Sequence, residues 1–185
     1  MIIGSHVSFK SDQLLGSVKE ALSYGANAFM FYTGAPQNTL RKEIDESLTK
    51  EAQTLMEYNG IDIKNVICHA PYIINLANRS SEEKWQFSIE FLKKELSRCD
   101  ALGISYLVFH PCSSVGLPEE EAIQNIIDAL NETLKNNYHC MILLETMAKK
   151  GTEIGSLEEI KTIMDQVKYP LGVCLDTCHV SDAGY

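Results

Sequence analysis

Five side chains in this sequence have the types and spacing for metal chemistry. NVICHAPY presents His69, YLVFHPCS presents His110, CMILLETM presents Glu145, and GVCLDTCH presents Asp176, with His179 one helical turn beyond it. Taken singly, each has an ordinary explanation. A histidine after a strand is commonly a hydrogen-bonded core or rim residue, and a carboxylate there is commonly a helix cap or half of a salt bridge. Taken together they resist that explanation, because two carboxylates and three imidazoles crowded at one place repel or desolvate one another unless a positive charge holds them. No lysine or arginine lies within the four motifs, so a divalent cation is the natural candidate. Imidazole nitrogen and carboxylate oxygen without thiolate suit Zn²⁺, and less specifically Mn²⁺ or Fe²⁺. The donors exceed what one open catalytic zinc requires, and Glu145, the candidate catalytic carboxylate, could bridge two ions. Ions paired roughly 3.5–4 Å apart are a familiar arrangement for phosphoester hydrolysis.

These residues converge only if the backbone delivers them to one place. Apolar runs at Ile2–Val7, Ala28–Tyr32, Asn65–Cys68, Tyr106–Phe109, Cys140–Leu144 and Leu171–Leu175 read as strands. Being continuous rather than alternating, they suggest parallel strands covered on both faces. Helical segments lie between them. Ser80-Ser81-Glu82-Glu83 offers a capping box ahead of the stripe Trp85, Ile89, Leu92, Leu96 and Cys99, and Gly103 ends that helix. Pro118 precedes a second stripe of Ile123, Ile126, Ile127, Leu130 and Leu134, and Ser156-Leu157-Glu158-Glu159 repeats the capping box. Six βα units leave an open doubly wound sheet or a (β/α)8 barrel. The first strand leads into GSHVS, with neither GxGxxG nor GxxxxGK[ST], so the nucleotide-binding open sheet has no support. A complete barrel takes about 250 residues; the 185 residues here read as one domain holding the first six βα units of a TIM barrel. In such a barrel all the candidate donors fall at the C-terminal strand ends, where one mouth collects them.

Composition sets limits on function. The chain is 45% hydrophobic and 22% charged, with no stretch near the roughly 20 apolar residues of a membrane span. Its start, MIIGSHVSFK, lacks the features of a secretory signal, so a cytoplasmic protein is the simplest reading. None of the six cysteines forms a CxxC pair, and all are read as reduced. A net charge of −9 argues against a general nucleic-acid binder. That argument weakens where bound dications offset the carboxylates locally.

GSHVS at 4–8, FMFYTGAPQN at 29–38, CHAPYIINLAN at 68–78, LVFHPCSS at 107–114, LLETMAKKGTEIG at 143–155 and GVCLDTCHVSDAGY at 172–185 closely resemble the endonuclease IV family of zinc-dependent apurinic/apyrimidinic endonucleases. The resemblance implies a barrel with a trinuclear zinc centre. It implies cleavage 5′ to abasic sites in double-stranded DNA by metal-bound hydroxide, leaving a 3′-hydroxyl in base-excision repair. By motif, His69, His110 and Glu145 match the ligands of one zinc, Glu145 bridges to a second to which Asp176 belongs, and His179 matches a ligand of the third. The loop carrying Tyr72 and Ile73 resembles the family's DNA-penetrating loop. Gln37 and Asn38 lie in a second DNA-contacting loop, where some members carry arginine. His6 is expected beneath the site, hydrogen-bonded to a ligand rather than coordinating, and His139 at the opposite face.

The family's remaining zinc ligands fall beyond Tyr185, so a truncated chain is expected. On this reading the polypeptide alone binds at most one zinc well and has little or no endonuclease activity. Two other readings stay open: a non-catalytic remnant with DNA-binding loops, and a metal-dependent sugar isomerase-like barrel.

Overall fold

The computed structural model describes residues 1–185 and places the apolar runs in six parallel strands: β1 (Gly4–His6), β2 (Ala28–Phe31), β3 (Val66–His69), β4 (Tyr106–Phe109), β5 (Met141–Glu145) and β6 (Gly172–Cys174). Each pairs with the next in sequence, giving the order β1-β2-β3-β4-β5-β6. A doubly wound sheet reverses its order at a switch point. This one never does, so the crossovers all turn the same way and the strands form an arc of a barrel wall. The first and last strands are shorter than their apolar runs, since each has only one neighbour to pair with.

Six helices follow the strands: α1 (Gln13–Ser23), α2 (Glu46–Tyr58), α3 (Glu82–Leu102), α4 (Glu119–Thr133), α5 (Leu157–Gln166) and α6 (Thr177–Asp182). Their stripes pack on one face of the sheet. Phe29, Phe31, Val66, Cys68, Leu107, Phe109, Ile142 and Leu144 point into that layer and join the core with Trp85, Ile89, Leu92, Leu96, Ile126 and Leu130. Each large apolar side chain buried there contributes about 1.5–3 kcal/mol.

The expectation that both sheet faces are covered is corrected by the alternate residues. Met30, Ile67, Tyr106 and Leu143 are only half-buried, and Met141 and Val173 are exposed. In a closed barrel the opposite wall covers such residues; six strands in an arc do not. Continuous apolar runs thus record a strand's place in a barrel, not the burial it attains here.

Helix ends follow local chemistry. Ser156 and Glu159 form the expected capping box, Ser156 Oγ accepting from the Glu159 N–H and Glu159 Oε2 accepting from the Ser156 N–H at 2.7 Å. The box expected at residues 80–83 does not form. The cap is Ser81, whose hydroxyl accepts from the Lys84 N–H, while Glu82 pairs with Arg79. Gly103 ends α3 in the left-handed conformation at φ 76°, as an L side chain rarely would. All six cysteines are free thiols, and no helix is long and apolar enough to cross a membrane.

Candidate metal centre

The strand ends meet around one carboxylate. Glu145 is the last residue of β5, and its register beside β4 and β6 sets it between His110, one residue past β4, and the turn after β6. Its Oε2 lies 3.0 Å from His69 Nε2 and 3.1 Å from His110 Nε2. Its Oε1 lies 3.5 Å from His179 Nδ1, which is itself 3.8 Å from Asp176 Oδ2. Two overlapping donor groups result, His69–His110–Glu145 and Glu145–Asp176–His179, each with its ligand atoms within 4.8 Å of one another. All five residues expected at the site from sequence therefore come together, and Glu145 belongs to both groups.

Hydrogen bonds from the backbone orient these donors. His69 Nδ1 is 2.7 Å from the Ala70 carbonyl, which can only accept, so Nδ1 carries the proton. In a neutral ring Nε2 then directs a lone pair at the Glu145 oxygen. Two acceptors at 3.0 Å repel, and a second proton or a cation between them relieves the repulsion. His179 is held likewise, its Nδ1–H donating to the Thr146 carbonyl at 2.8 Å and leaving Nε2 free. Asp176 divides its labour. Oδ1 accepts the N–H groups of Cys178 and His179 and caps α6, while Oδ2 faces the His179 ring. Asp176 thus acts as a helix cap while one of its oxygens stays turned toward the other donors.

The electrostatics agree. Burial pushes the Glu145 carboxyl up, and where His110 and His69 carry that second proton their hydrogen bonds and charge outweigh burial and hold it at about 2. Glu145 is a carboxylate that needs positive partners, and no lysine or arginine supplies one. Cys174 beside it stays a thiol, raised to about 11 by burial and by the charges of Glu145 and Asp176. A buried carboxylate, three imidazoles, two of them oriented by backbone carbonyls, and no ammonium or guanidinium form a donor set that fits zinc.

Aromatic rings wall the site. Tyr72 is 58% exposed and lies 5.3 Å from the His110 ring and 5.7 Å from the His69 ring. The buried Tyr32, not singled out by its sequence context, donates its hydroxyl to that of Tyr72 at 2.5 Å. Burial and this bond raise the Tyr32 phenol and keep it protonated. Ile73 is half-buried against the core rather than displayed with Tyr72. Gln37 and Asn38 are exposed on the β2–α2 loop, and Asn38 Oδ1 accepts the Leu40 N–H. The hydrogen bond expected from His6 to a ligand is absent. At the tip of the edge strand β1 its ring meets Tyr32 edge-on at 5.0 Å instead. His139 lies at the other end of the strands, its backbone N–H bound to Asp100.

Sequence reasoning missed a second charged cluster. Glu95 on α3 is fully buried, accepting from Arg41 Nε at 2.6 Å and from the Thr33 hydroxyl at 2.5 Å, with Arg98 bonded to the far side of Thr33. Glu95 falls inside the stripe of Leu92, Leu96 and Cys99, which is the signal that could have revealed it.

A parallel arc with metal-suited donors at its strand ends is the architecture of the (β/α)-barrel metalloenzymes, and the sequence model of a family described as a xylose isomerase-like TIM barrel matches residues 18–185. A probable endonuclease 4 of Acholeplasma laidlawii is 53% identical over 191 residues, covering 100% of this chain and 65% of the relative. One from Mesoplasma florum is 44% identical, with 66% of its length covered. The crystal structure of endonuclease IV from Thermus thermophilus superposes with a TM-score of 0.80 at 28% identity, covering 99% of this chain and 66% of that one. The chain belongs to the endonuclease 4 family within the xylose isomerase-like TIM barrels. It spans about two thirds of the length of these relatives. Sugar epimerases such as L-ribulose 3-epimerase, with a TM-score of 0.74 at 13% identity, share the fold alone.

Proposed function

We propose that this chain provides the metal-holding wall and DNA-facing loops of a phosphodiester hydrolase that acts at abasic sites in duplex DNA, cutting 5′ to the lesion and leaving a 3′-hydroxyl. The observation that carries the reading is the convergence of His69, His110, Asp176 and His179 on the single carboxylate Glu145. Relatives named as endonuclease 4 at 44–53% identity support it.

His69, His110 and Glu145 would hold one zinc, and Glu145 with Asp176 and His179 would contribute to further ions. Zinc bound there supplies Lewis acidity toward a phosphoryl oxygen and acidifies water. The chain's own residues do the rest. The Ala70 carbonyl keeps His69 in the tautomer that presents Nε2 to Glu145. The Thr146 carbonyl instead holds the proton on His179 Nδ1, the nitrogen facing Glu145 and Asp176, and leaves Nε2 as that ring's lone-pair donor. Tyr72, held by the Tyr32 hydroxyl, offers an exposed aromatic face to the gap left by a missing base, with Ile73 bracing the loop against the core. Extruding the sugar-phosphate costs least where no base is stacked or paired. Gln37 and Asn38 provide amides to the groove or backbone. Metal held by these donors would offset the chain's negative charge where phosphate approaches.

The test measures metal content and DNA together. The 185-residue polypeptide should take up about one equivalent of zinc tightly, since only His69, His110 and Glu145 form a complete three-residue donor set around a single oxygen. His69→Ala should lose it. The zinc-loaded chain should bind a duplex with one abasic site more tightly than the intact duplex, any incision falling 5′ to the lesion. No zinc uptake, or equal affinity for the two duplexes, would sink the reading. Epimerisation or isomerisation of a sugar without lesion preference would favour the sugar-acting branch of the fold.

A further inference from the structure

Away from Glu145, the chain has a cavity of about 510 Å³ whose wall is cationic. The β1–α1 loop, the start of α1 and the β2–α2 loop enclose it, with Lys10, Arg41, Lys42 and Arg98 contributing and no acidic residue among the lining. In a chain of net charge −9 this is a local reversal of sign. It shares no lining residue with the cavity around Glu145.

Three observations point to an anion. The first is a charge count. Arg41 and Arg98 both carry buried guanidiniums, yet one carboxylate serves the two. Glu95 bonds Arg41 directly, whereas Arg98 reaches it only through the Thr33 hydroxyl and spends its other N–H groups on the carbonyls of Lys42 at 2.6 Å and Thr33 at 3.0 Å. One positive charge is left uncompensated inside the protein, a costly arrangement without a counter-ion. The second is Arg41 Nη2, a buried donor with no hydrogen-bond partner whose guanidinium lies over the Phe91 ring at 5.1 Å, so that it adds positive field at the cavity without touching an occupant. The third is α1, an 11-residue helix whose first turn receives no side-chain cap from Asp12. Lys10 and Lys42 are exposed at the rim and form no ion pair with a carboxylate.

We propose that this cavity binds a phosphate group, with Lys10 and Lys42 contacting it and the Arg41–Glu95–Arg98 base and the α1 N-terminus supplying the field. Rim ammonium groups, buried guanidinium charge and a helix N-terminus all favour phosphate over less highly charged anions. The volume falls within the range of small-molecule sites, so there is room for more than the bare ion, and Phe9 and Leu40 give an apolar flank. The phosphate belongs either to a nucleoside monophosphate or to a polynucleotide backbone. Neither the metal centre nor the hydrolase reading is needed for such a site to exist.

The experiment uses the chelator-treated chain, so that binding at the imidazole cluster is silent. Inorganic phosphate and deoxyadenosine monophosphate are titrated by calorimetry, and an intact duplex of about two helical turns by fluorescence anisotropy. The double variant Lys10→Glu/Lys42→Glu leaves the buried guanidiniums in place and should retain the parent's thermal melt. Lys50→Glu/Lys94→Glu, on the exposed surfaces of α2 and α3, controls for net charge. Saturable binding of the monophosphate that weakens about 10-fold or more in the first variant, but not in the control or in His69→Ala, supports a small phosphate ester. Duplex binding that weakens about 10-fold in the first variant relative to the control, without monophosphate saturation, assigns the phosphate to a backbone. If neither ligand distinguishes the two double variants, the proposal is overturned.

Discussion

Around Glu145 one carboxylate faces three imidazoles; around Glu95 one carboxylate serves two guanidiniums. Both carboxylates are buried behind loops that follow β strands, and both hold several segments together. The difference lies in their partners. A guanidinium is charged at any pH the protein meets, so the Glu95 pairing is permanent and fixes the Thr33–Lys42 loop to α3. A singly protonated imidazole whose proton sits on Nδ1, as the Ala70 carbonyl requires of His69, offers Glu145 only a lone pair, so that partnership becomes favourable with a further proton or a metal. One cluster is built to hold and the other to respond.

The most severe way to break this contrast is to remove the permanent partner. Glu95→Ala strands two buried guanidiniums and should cost about 3–5 kcal/mol in urea denaturation. Glu145→Gln in the metal-free chain should stay within about 1 kcal/mol of the parent, because an amide can donate to the same Nε2 lone pairs. Equal losses at the two positions would erase the distinction. The conditional cluster is sharpened by adding its cation. Zinc at about a hundred times its dissociation constant should stabilise the parent by about 2.7 kcal/mol, and should do nothing for His69→Ala in a thermal melt. Tyr72→Ala tests whether the rings beside the cluster serve DNA. Affinity for an abasic duplex should fall by about 1–3 kcal/mol in anisotropy measurements while zinc content is unchanged.

The smallest effect comes from a third carboxylate, Glu159, whose burial raises its pKa but whose hydrogen bonds from the Gly155 and Ser156 backbone lower it further, to a net value below the ordinary 4.5. A depressed folded-state value means its contribution is present above about pH 4.5 and is lost as the pH falls through the lower folded value. Glu159→Gln should therefore flatten the acid side of the stability curve, and Ser156→Ala should cost about 1 kcal/mol at neutral pH. An unchanged acid limb would show that this box does not report on folding.

The Glu145 cluster was legible in the sequence and the Glu95 cluster was not, for a physical reason. His69, His110, Glu145 and Asp176 interrupt apolar strand runs, and parallel strands in sequential order bring such interruptions to the same edge. Glu95 and Arg98 are spaced like any charged pair on a helix, and their burial is decided by Thr33 and Arg41 arriving from 54 to 62 positions away. Only the apolar neighbours of Glu95 on its own stripe hinted at it. The path of His6 was misjudged because a residue at an edge strand's tip has a neighbour on one side only, and an aromatic ring occupied that side. The half-open alternate face of the sheet was illegible for a similar reason: pattern encodes which residues are apolar, not how far round the wall continues.

Asp176 gives the centre a built-in reporter. One of its oxygens starts the six-residue helix α6 and the other looks toward the donors, so any pull on the second is transmitted to the turn that the first holds closed. Amide exchange across residues 177–182 should slow when zinc is added, giving a readout of occupancy that requires neither DNA nor turnover.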